Sequence, residues 1–469
     1  MVIASIVKVA TTEFETRMAE LGKNLDTRQL TADLAEQVSQ ALQKAISAAG
    51  RAGYKAFLES YDSQEPVIKV NDQPLRRKRV SPKSFLTPFG TIQVLRSLYQ
   101  ADRGGDSYVP LDQLWEMDGH FATVEVRQAV CLALAHMTAE ETEQLFDKCS
   151  LFRPSATALK HIIEKVSREI EPRREQLEAM IHGRIEFPQD GRVLVASMDG
   201  VNVLLRERGV RRGRPSERPG HQVHEAKKTS YRNAMVGAFS FYGEVPEAQK
   251  CPQRLGRFYT ARMPEDKAVT FKRQFEQSLD AVEQKIGPGV IKVLLFDGHR
   301  SLWNYADTHE RFDEYEKLID FYHTQEHLSK AAEALFGKSS GQAQRWYAKY
   351  RTKLLEQEAA AEAILRSIDY YSGCQRLSRS RRKDLAAERT FFRRNKHRMT
   401  YASFRRRGLP IGSGPVEAAC KSIVKTRLCR SGMRWSRQGG QRILDFRCYA
   451  KSGLWNEFWD TYKYVRRSA

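Results

Sequence analysis

The sequence holds no Cys-x-x-Cys pair and no cysteine at all before Cys131. Its seven cysteines are scattered along 469 residues. That excludes a closely spaced zinc site and argues against a disulfide framework, so the thiols read as reduced core residues of a cytosolic protein. No stretch approaches the ~18 apolar residues of a membrane-spanning helix, and no basic-then-apolar leader opens the chain. Internal repeats and long low-complexity tracts are also missing. Acidic residues are in deficit: 57 Asp plus Glu stand against 78 Lys plus Arg, a net charge of +21. Spread over the chain, this excess predicts attraction to a polyanion, nucleic acid first and an anionic membrane surface second.

Residues 1 to about 60 read as helical, with Gly50 and Gly53 punctuating the end. The run Arg76-Arg77-Lys78-Arg79, followed by Ser81-Pro82, reads as a basic linker. The segment after it alternates around a Pro-Phe-Gly turn, as a β-hairpin does. Three helices are expected between Val124 and Glu171, with Ser155 as N-cap of the third. Such a trio fits a DNA-reading helix-turn-helix and equally a domain that only packs.

At Gly191 the texture changes. Val193 to Met198 reads as a strand ended by Asp199-Gly200, and VNVLLRE as a second strand. The Arg, Gly and Pro-rich residues 208–221 read as an exposed loop, 234–243 as a third strand, and RFYTARM as a short extra one. A helix from Asp266 to Lys285 precedes a buried strand, 291–296, that ends in Asp297-Gly298-His299. A short helix then leads to a last strand carrying Asp320 and His323. From His323 to Arg407 the pattern is wholly helical and increasingly basic, with Phe391, Phe392, Tyr401 and Phe404 among the cations up to Arg405, Arg406 and Arg407. Cations neutralise phosphates and aromatic faces stack on bases; the alternative is an aromatic core under a solvated basic face.

This element order is that of a ribonuclease-H-like α+β fold with a mixed five-stranded sheet. The expected divisions are an N-terminal helical region (1–75), a hairpin plus helical DNA-binding region (76–190), a first part of the core (191–323), an all-helical insertion (324–407) and a second part of the core (408–469). In such a sheet the first and fourth strands are neighbours, so acids at their ends meet.

The third acid comes from residues 408–436. A turn with Gly408, Gly412 and Gly414 leads into Pro415, which suits a first helical turn. Val416, Ala419, Cys420, Ile423, Val424 and Leu428 recur at three- and four-residue steps as one buried face of an uninterrupted helix. Glu417, Lys421 and Lys425 fall four apart on another face. The candidate acids are therefore Asp199, Asp297 and Glu417. Phosphodiester cleavage needs a strong nucleophile and relief of charge on the leaving oxygen, which two Mg²⁺ ions about 3.5–4 Å apart supply. Such hard ions are held by carboxylate oxygens, without His or Cys.

The motifs Met198-Asp199-Gly200, Phe296-Asp297-Gly298, Asp320-Phe-Tyr-His323 and Gly412-Ser-Gly-Pro-Val-Glu417-Ala-Ala-Cys-Lys421, with SGMRW (431–435) behind them, resemble those of bacterial insertion-sequence DDE transposases. The Kra-type group, related to Mutator-like elements, is the nearest likeness, over about residues 84–450. The resemblance implies that Asp199, Asp297 and Glu417 bind two Mg²⁺ (or Mn²⁺) ions. It also implies metal-dependent cleavage of transposon ends and joining of the freed 3′-hydroxyl to target DNA, by a homodimer or larger assembly on double-stranded DNA. Asp320 and His323 would support the site or position DNA, or serve structure alone. Arg405, Arg406, Arg407, Lys421, Lys425, Arg427, Arg430 and Arg434 would contact DNA. A nuclease without strand transfer and a domesticated DNA-binding protein are the other readings. Relatives often carry paired cysteines after the N-terminal hairpin; this chain has none there.

Overall fold

The computed structural model describes residues 2–23, 29–102, 104–149, 152–206, 231–246, 251–374 and 376–467. The expected loop at 208–221 lies outside the described residues. The chain divides into two compact units, Met1–Pro172 and Arg173–Ala469.

In the first unit, α1 (Val2–Gly22) packs on α2 (Ala32–Glu59), which is capped by the Thr31 hydroxyl accepting from Leu34 N. Gly50 and Gly53 do not end this helix. A Cβ on Gly53 would come within 3.2 Å of Ala10 Cβ, and one on Gly50 within 2.4 Å of the Phe89 ring, so these glycines permit close packing. Strands β1 (Val67–Val70), β2 (Gln73–Thr87) and β3 (Gly90–Gln100) form an antiparallel sheet in that order. The basic run expected to be a linker lies inside β2, held by pairs such as Arg76↔Gln100. Helices α3 (Pro110–Leu114), α4 (Val124–His136), α5 (Ala139–Cys149) and α6 (Ala156–Ile170) follow, the last capped by Ser155 as expected. Leu58, Phe85, Ile92, Val94, Leu111 and Met117 form the core that joins α2, the hairpin and α3.

The second unit opens with α7 (Arg174–His182) and is built on a five-stranded mixed sheet. Its strands are β4 (Val193–Leu204), β5 (Tyr231–Tyr242), β6 (Arg254–Arg262), β7 (Ile291–Phe296) and β8 (Glu316–Ile319). The spatial order is β6-β5-β4-β7-β8, with β5 antiparallel to its neighbours and β7 parallel to both of its own. That order and those directions agree with the ribonuclease-H-like sheet. The strands differ from expectation first at Asp199-Gly200, which does not end a strand. β4 runs unbroken through it, and the segment read as a short extra strand is β6. The first half of β4 is buried on both faces, whereas Val201 to Leu204 alternates; the change of texture mimics a strand end. Helix α8 (Val269–Glu283) precedes β7 and α9 (Arg300–Thr308) follows it.

The last strand also ends sooner than expected, at Ile319. Asp320 is the N-cap of α10 (Phe321–Phe336), its side chain accepting from His323 N, so His323 sits on a helix. Then come α11 (Gly341–Glu356), α12 (Ala360–Cys374), α13 (Arg379–Asn395) and α14 (Tyr401–Arg406). Phe392, Tyr401 and Phe404 are buried core residues, 0%, 0% and 3% exposed. They do not present faces for base stacking.

The helix carrying Glu417 is interrupted. It runs as α15 (Gly414–Ala419), a π-helical stretch Cys420–Lys425, and α16 (Thr426–Leu428). Its expected apolar face is buried throughout, from Val416 to Leu428. Helices α17 (Arg437–Ser452) and α18 (Trp455–Arg467) complete the unit.

Candidate active site

Strand register places the first two acids. β4 and β7 pair from Val193↔Ile291 to Ala196↔Leu294, and the same offset carried three residues on sets Asp199 level with Asp297. Asp199 Oδ1 accepts from Gly200 N at 2.6 Å, and Oδ2 accepts from the Cys420 thiol at 3.3 Å. Burial pushes the Asp199 carboxyl above its usual range, the Gly200 and Cys420 hydrogen bonds oppose this, and the charge of Asp297 adds to it. A Cβ on Gly200 would fall 2.1 Å from the side-chain amide of Asn233 on β5, so the Asn233 side chain lies directly over this glycine.

Asp297 follows the last residue of β7. Its Oδ1 accepts from His299 N at 2.9 Å, and its backbone carbonyl accepts from Trp303 Nε1 at 2.6 Å. A Cβ on Gly298 would come within 2.7 Å of Phe391 Cε2 and 2.9 Å of His323 Nε2. His323 is thus packed directly behind the Asp297 turn. Its Nε2 lies 3.2 Å from His327 Nε2, and His327 Nδ1 lies 2.5 Å from Glu388 Oε2. His327 stacks on Phe391 at 3.6 Å.

Asp320 ties the parts together. It is fully buried. Its backbone N–H donates to Phe296 O, one residue before Asp297, at 2.8 Å. Its Oδ1 accepts from His323 N at 2.6 Å, and its Oδ2 accepts from Ser413 N in the glycine turn. Ser413 Oγ in turn donates to Glu417 Oε1 at 3.0 Å. Asp320 therefore fixes both the strand end before one acid and the turn before another.

Glu417 is exposed in the first turn of α15, where the helix dipole favours a carboxylate. Among the described residues, no three His, Cys, Asp or Glu side chains are gathered closely enough to hold a metal ion. The expected convergence of three acids in one pocket is not met by these side-chain positions. What meets instead is Asp199 with Asp297 and Cys420, while Glu417 is engaged by Ser413. Like charges repel one another at short range, and the Ser413 hydroxyl gives Glu417 a partner of its own.

Lys421 and Lys425 are exposed, and the Lys425 charge bears on both Asp199 and Cys420. The π turn widens the local step, so Glu417, Lys421 and Lys425 no longer trace one line along a regular helix. Arg447 on α17 holds that turn. It is 3% exposed, and its Nε donates to Ile423 O at 2.8 Å. Its Nη2 donates to Ser422 O and, at 3.0 Å, to Thr426 Oγ1.

The other expected DNA contacts are placed unevenly. Arg430 and Arg434 are exposed. Arg427 is buried at 4% exposure over the Trp435 ring, so it serves packing. Trp435 N donates to Leu204 O at 3.1 Å, which stitches the SGMRW segment to the end of β4. Arg405, Arg406 and Arg407 do not lead into the acids. Arg406 and Arg407 line a cleft of about 610 Å³ with Arg192, Val193, Pro288 and Ile291, at the opposite ends of β4 and β7. Arg407 pairs with Glu316 (2.7 Å) and Arg406 with Glu358. Glu316 is in register with Val293, four residues before Asp297 and so roughly 13 Å along the strand.

Five contributors escaped sequence reasoning. Cys420 looked like one more buried apolar residue, and Ser413 like turn filler. His327 lies four residues after His323, a helical spacing that signals a shared face. Glu388 and Arg447 reach the site from distant segments and leave no local trace.

No protein-family model matches the chain, and no curated protein matches it. Among solved structures it is similar to one described as a Drosophila P element transposase strand transfer complex. The identity is 11%, the match covers 72% of this chain and 80% of that one, and the TM-score is 0.23. So low a score gives no ground for transferring function. No helix among the described residues is long and apolar enough to cross a membrane.

Proposed function

We propose that this chain is a metal-dependent DNA transposase of the DDE type, with Asp199, Asp297 and Glu417 as its acids. The observation that carries the reading is the register of β4 and β7, which sets Asp199 level with Asp297 on adjacent parallel strands of a ribonuclease-H-ordered sheet. A helix bearing Glu417 is tied to Asp199 through Cys420.

The donor chemistry fits hard divalent ions. Asp199 is raised by burial and by the charge of Asp297, strain that a bound cation relieves. Burial and the Asp199 charge hold the Cys420 thiol protonated, so it is a donor to Asp199 and not a soft ligand. Asp199 and Asp297 would hold Mg²⁺ or Mn²⁺, and Glu417 would complete the set on leaving Ser413. The ions, when bound, supply charge neutralisation at phosphate and a nucleophile at neutral pH.

The remaining steps belong to the protein. Lys421, Lys425, Arg430 and Arg434 draw the DNA backbone to this end of the sheet. Asp320 keeps the Asp297 and Ser413 turns in fixed relation. The bond broken is a phosphodiester at the element's end, and the freed 3′-hydroxyl then attacks a target phosphate, expelling a second 3′-oxygen. Handling two ends together calls for at least a dimer on DNA. Helices α4–α6 are proposed as a further DNA-reading element.

The test is incubation of the full chain with supercoiled plasmid and labelled end-containing duplex in Mg²⁺ or Mn²⁺, with mapping of nicks and joined products. Nicks and strand-transfer products that vanish in Asp297→Asn support the reading. Nicks without joining reduce it to a nuclease, and unchanged nicking by Asp297→Asn ends it.

A further inference from the structure

The first unit carries a charge imbalance that the site above does not use. From Val67 to Gln100 the chain has seven cations, Lys69, Arg76, Arg77, Lys78, Arg79, Lys83 and Arg96, and a single acid, Asp72. Two of the seven are absorbed locally: Lys83 and Arg96 both bond Asp112, at 3.1 and 2.6 Å. Arg76 meets Asp102 at 3.0 Å, but both side chains are more than 60% exposed. Such a pair contributes little and exchanges readily for a phosphate. Among the described residues, no acid pairs with Lys78 or Arg79, and both are exposed.

Most of these cations are mounted along one long strand. β2 has 15 residues, so it spans roughly 50 Å. Only its last three residues, Phe85 to Thr87, are buried. Its first residues, Gln73 to Arg76, pair with β1, and from Arg76 on it pairs with β3; the β1–β2 end is closed by a two-residue turn in which Asn71 and Asp72 both have left-handed backbones (φ 49° and 61°). That is the tight turn a twisted antiparallel ribbon needs.

A bulge then arranges the charge. Register slips between Arg77 and Arg79, so Arg77 pairs with Tyr99 and Arg79 with Leu98. Tyr99 and Leu98 are consecutive in β3 and face opposite sides. Without the bulge, Arg77 and Arg79 would share a face. With it, Arg79 joins Arg76, whose partner Gln100 is on the Leu98 side, and Lys78 is the extra, outward residue. The other candidate in this unit is less basic. On α6, Lys160 is matched by Glu140 and Arg168 by Glu164.

We propose that the exposed stretch of β2, paired with β1 up to Arg76 and with β3 beyond it, is a duplex-DNA-binding surface, with Arg76, Lys78 and Arg79 as its phosphate contacts. A line of exposed cations along one strand follows a phosphate backbone. The proposal deepens the transposase reading and rests on it only for the choice of DNA as the polyanion.

The test uses the full chain with Arg76→Gln, Lys78→Gln and Arg79→Gln combined, titrated onto a labelled linear duplex at several salt concentrations. Each lost phosphate contact flattens the log–log salt dependence by about 0.9, so the slope should drop by about 2.7 with the melting temperature unchanged. Asp297→Asn, run alongside, keeps the wild-type slope. If that variant also keeps nicking activity, the catalytic reading fails while the β2 surface is still judged by its slope. An unchanged slope in the triple variant overturns the proposal. So does weakened binding seen only on anionic phospholipid vesicles and not on duplex.

Discussion

Arg447→Met is the sharpest probe of how the Glu417 helix is held. The guanidinium is 3% exposed and serves the carbonyls of Ser422 and Ile423 within the π turn and the Thr426 hydroxyl just after it. A π stretch leaves carbonyls that the regular ladder would have used. A hydrogen bond from a charged donor is worth about 1.5–3 kcal/mol net. Loss of the two carbonyl bonds at the lower value costs about 3 kcal/mol. Removing a buried charge gives part of that back, since apolar replacement of buried ionic groups is often near neutral. The expected net loss is about 2 kcal/mol, or roughly 4–6 °C in melting temperature for a unit of this size. Burial pushes the Arg447 pKa down to about 10, so the side chain is still charged at neutral pH. Urea unfolding of wild type, Arg447→Met and Arg447→Lys is the assay. Lysine keeps one or two of the bonds and should fall between. A methionine variant as stable as wild type would refute the view that Arg447 supports the π turn.

Further outcomes follow from the same geometry. Asp297→Asn and Asp199→Asn should each lower plasmid nicking by on the order of 100-fold or more while leaving the melting temperature within a degree or so. Ser413→Ala removes the competing partner of Glu417, so the Mn²⁺ concentration needed to raise the melting temperature should fall; a rise would count against the release of Glu417 from Ser413. Gly298→Ala forces a Cβ into Phe391 and His323, both packed against His327, and should cost about 1–3 kcal/mol in urea unfolding. Two buried neighbours on α7 oppose each other in pH. Burial pushes Glu178 up to about 7 against the charge of Arg174, so its contribution is complete below its ordinary value and is lost as pH rises through 7. Burial pushes His182 down to about 4, so its contribution is complete above its ordinary value and is lost as pH falls through 4. Glu178→Gln should therefore expose the histidine alone: stability falls by up to about 3 kcal/mol on acidification from pH 6.5 to 4, where wild type stays nearly flat.

Local patterns in the sequence located what local forces build. The apolar run of β7, the three helices α4–α6 with their Ser155 cap, and the buried face from Val416 to Leu428 were all readable because neighbouring residues determine them. Errors arose where a distant segment decides. β4 looked like two strands because its neighbours cover both faces of one half and one face of the other. Gly50 and Gly53 looked like a helix end because the Phe89 and Ala10 contacts that require them are invisible in a window. The π turn is bonded by Arg447, more than twenty residues on. Asp320 is a different case. An Asp accepting from the N–H three residues later is the mark of a helix N-cap, and that signal stood in Asp320-Phe-Tyr-His323 beside an apolar run that suggested strand. Of the site itself, the level pairing of Asp199 with Asp297 was legible from two apolar strands each bearing Asp-Gly. The engagement of Glu417 by Ser413 was not.

The four acids divide their work by the oxygens they have left. Asp320 has both oxygens committed to backbone N–H donors and no exposure, so it has nothing to offer a ligand. Its carboxylate braces the Ser413 turn against the start of α10, while its backbone N–H, which a substitution would keep, holds Phe296 O. Asp199 has one oxygen on Gly200 N and one on a thiol, and the thiol is the weaker donor and the easier to displace. Asp297 accepts at Oδ1 alone among the described residues, which leaves Oδ2 open beside Asp199. Glu417 accepts at Oε1 from a hydroxyl and is exposed, so it combines an open oxygen with a side chain free to swing. The two aspartates are fixed by adjacent strands, whereas the glutamate rides a helix whose pitch is set by a π turn. Any cation drawn to the aspartate pair would meet rigid ligands on one side and an adjustable one on the other. That asymmetry suits the proposed reaction, in which the site would accept a DNA end and then a second strand without rebuilding its sheet.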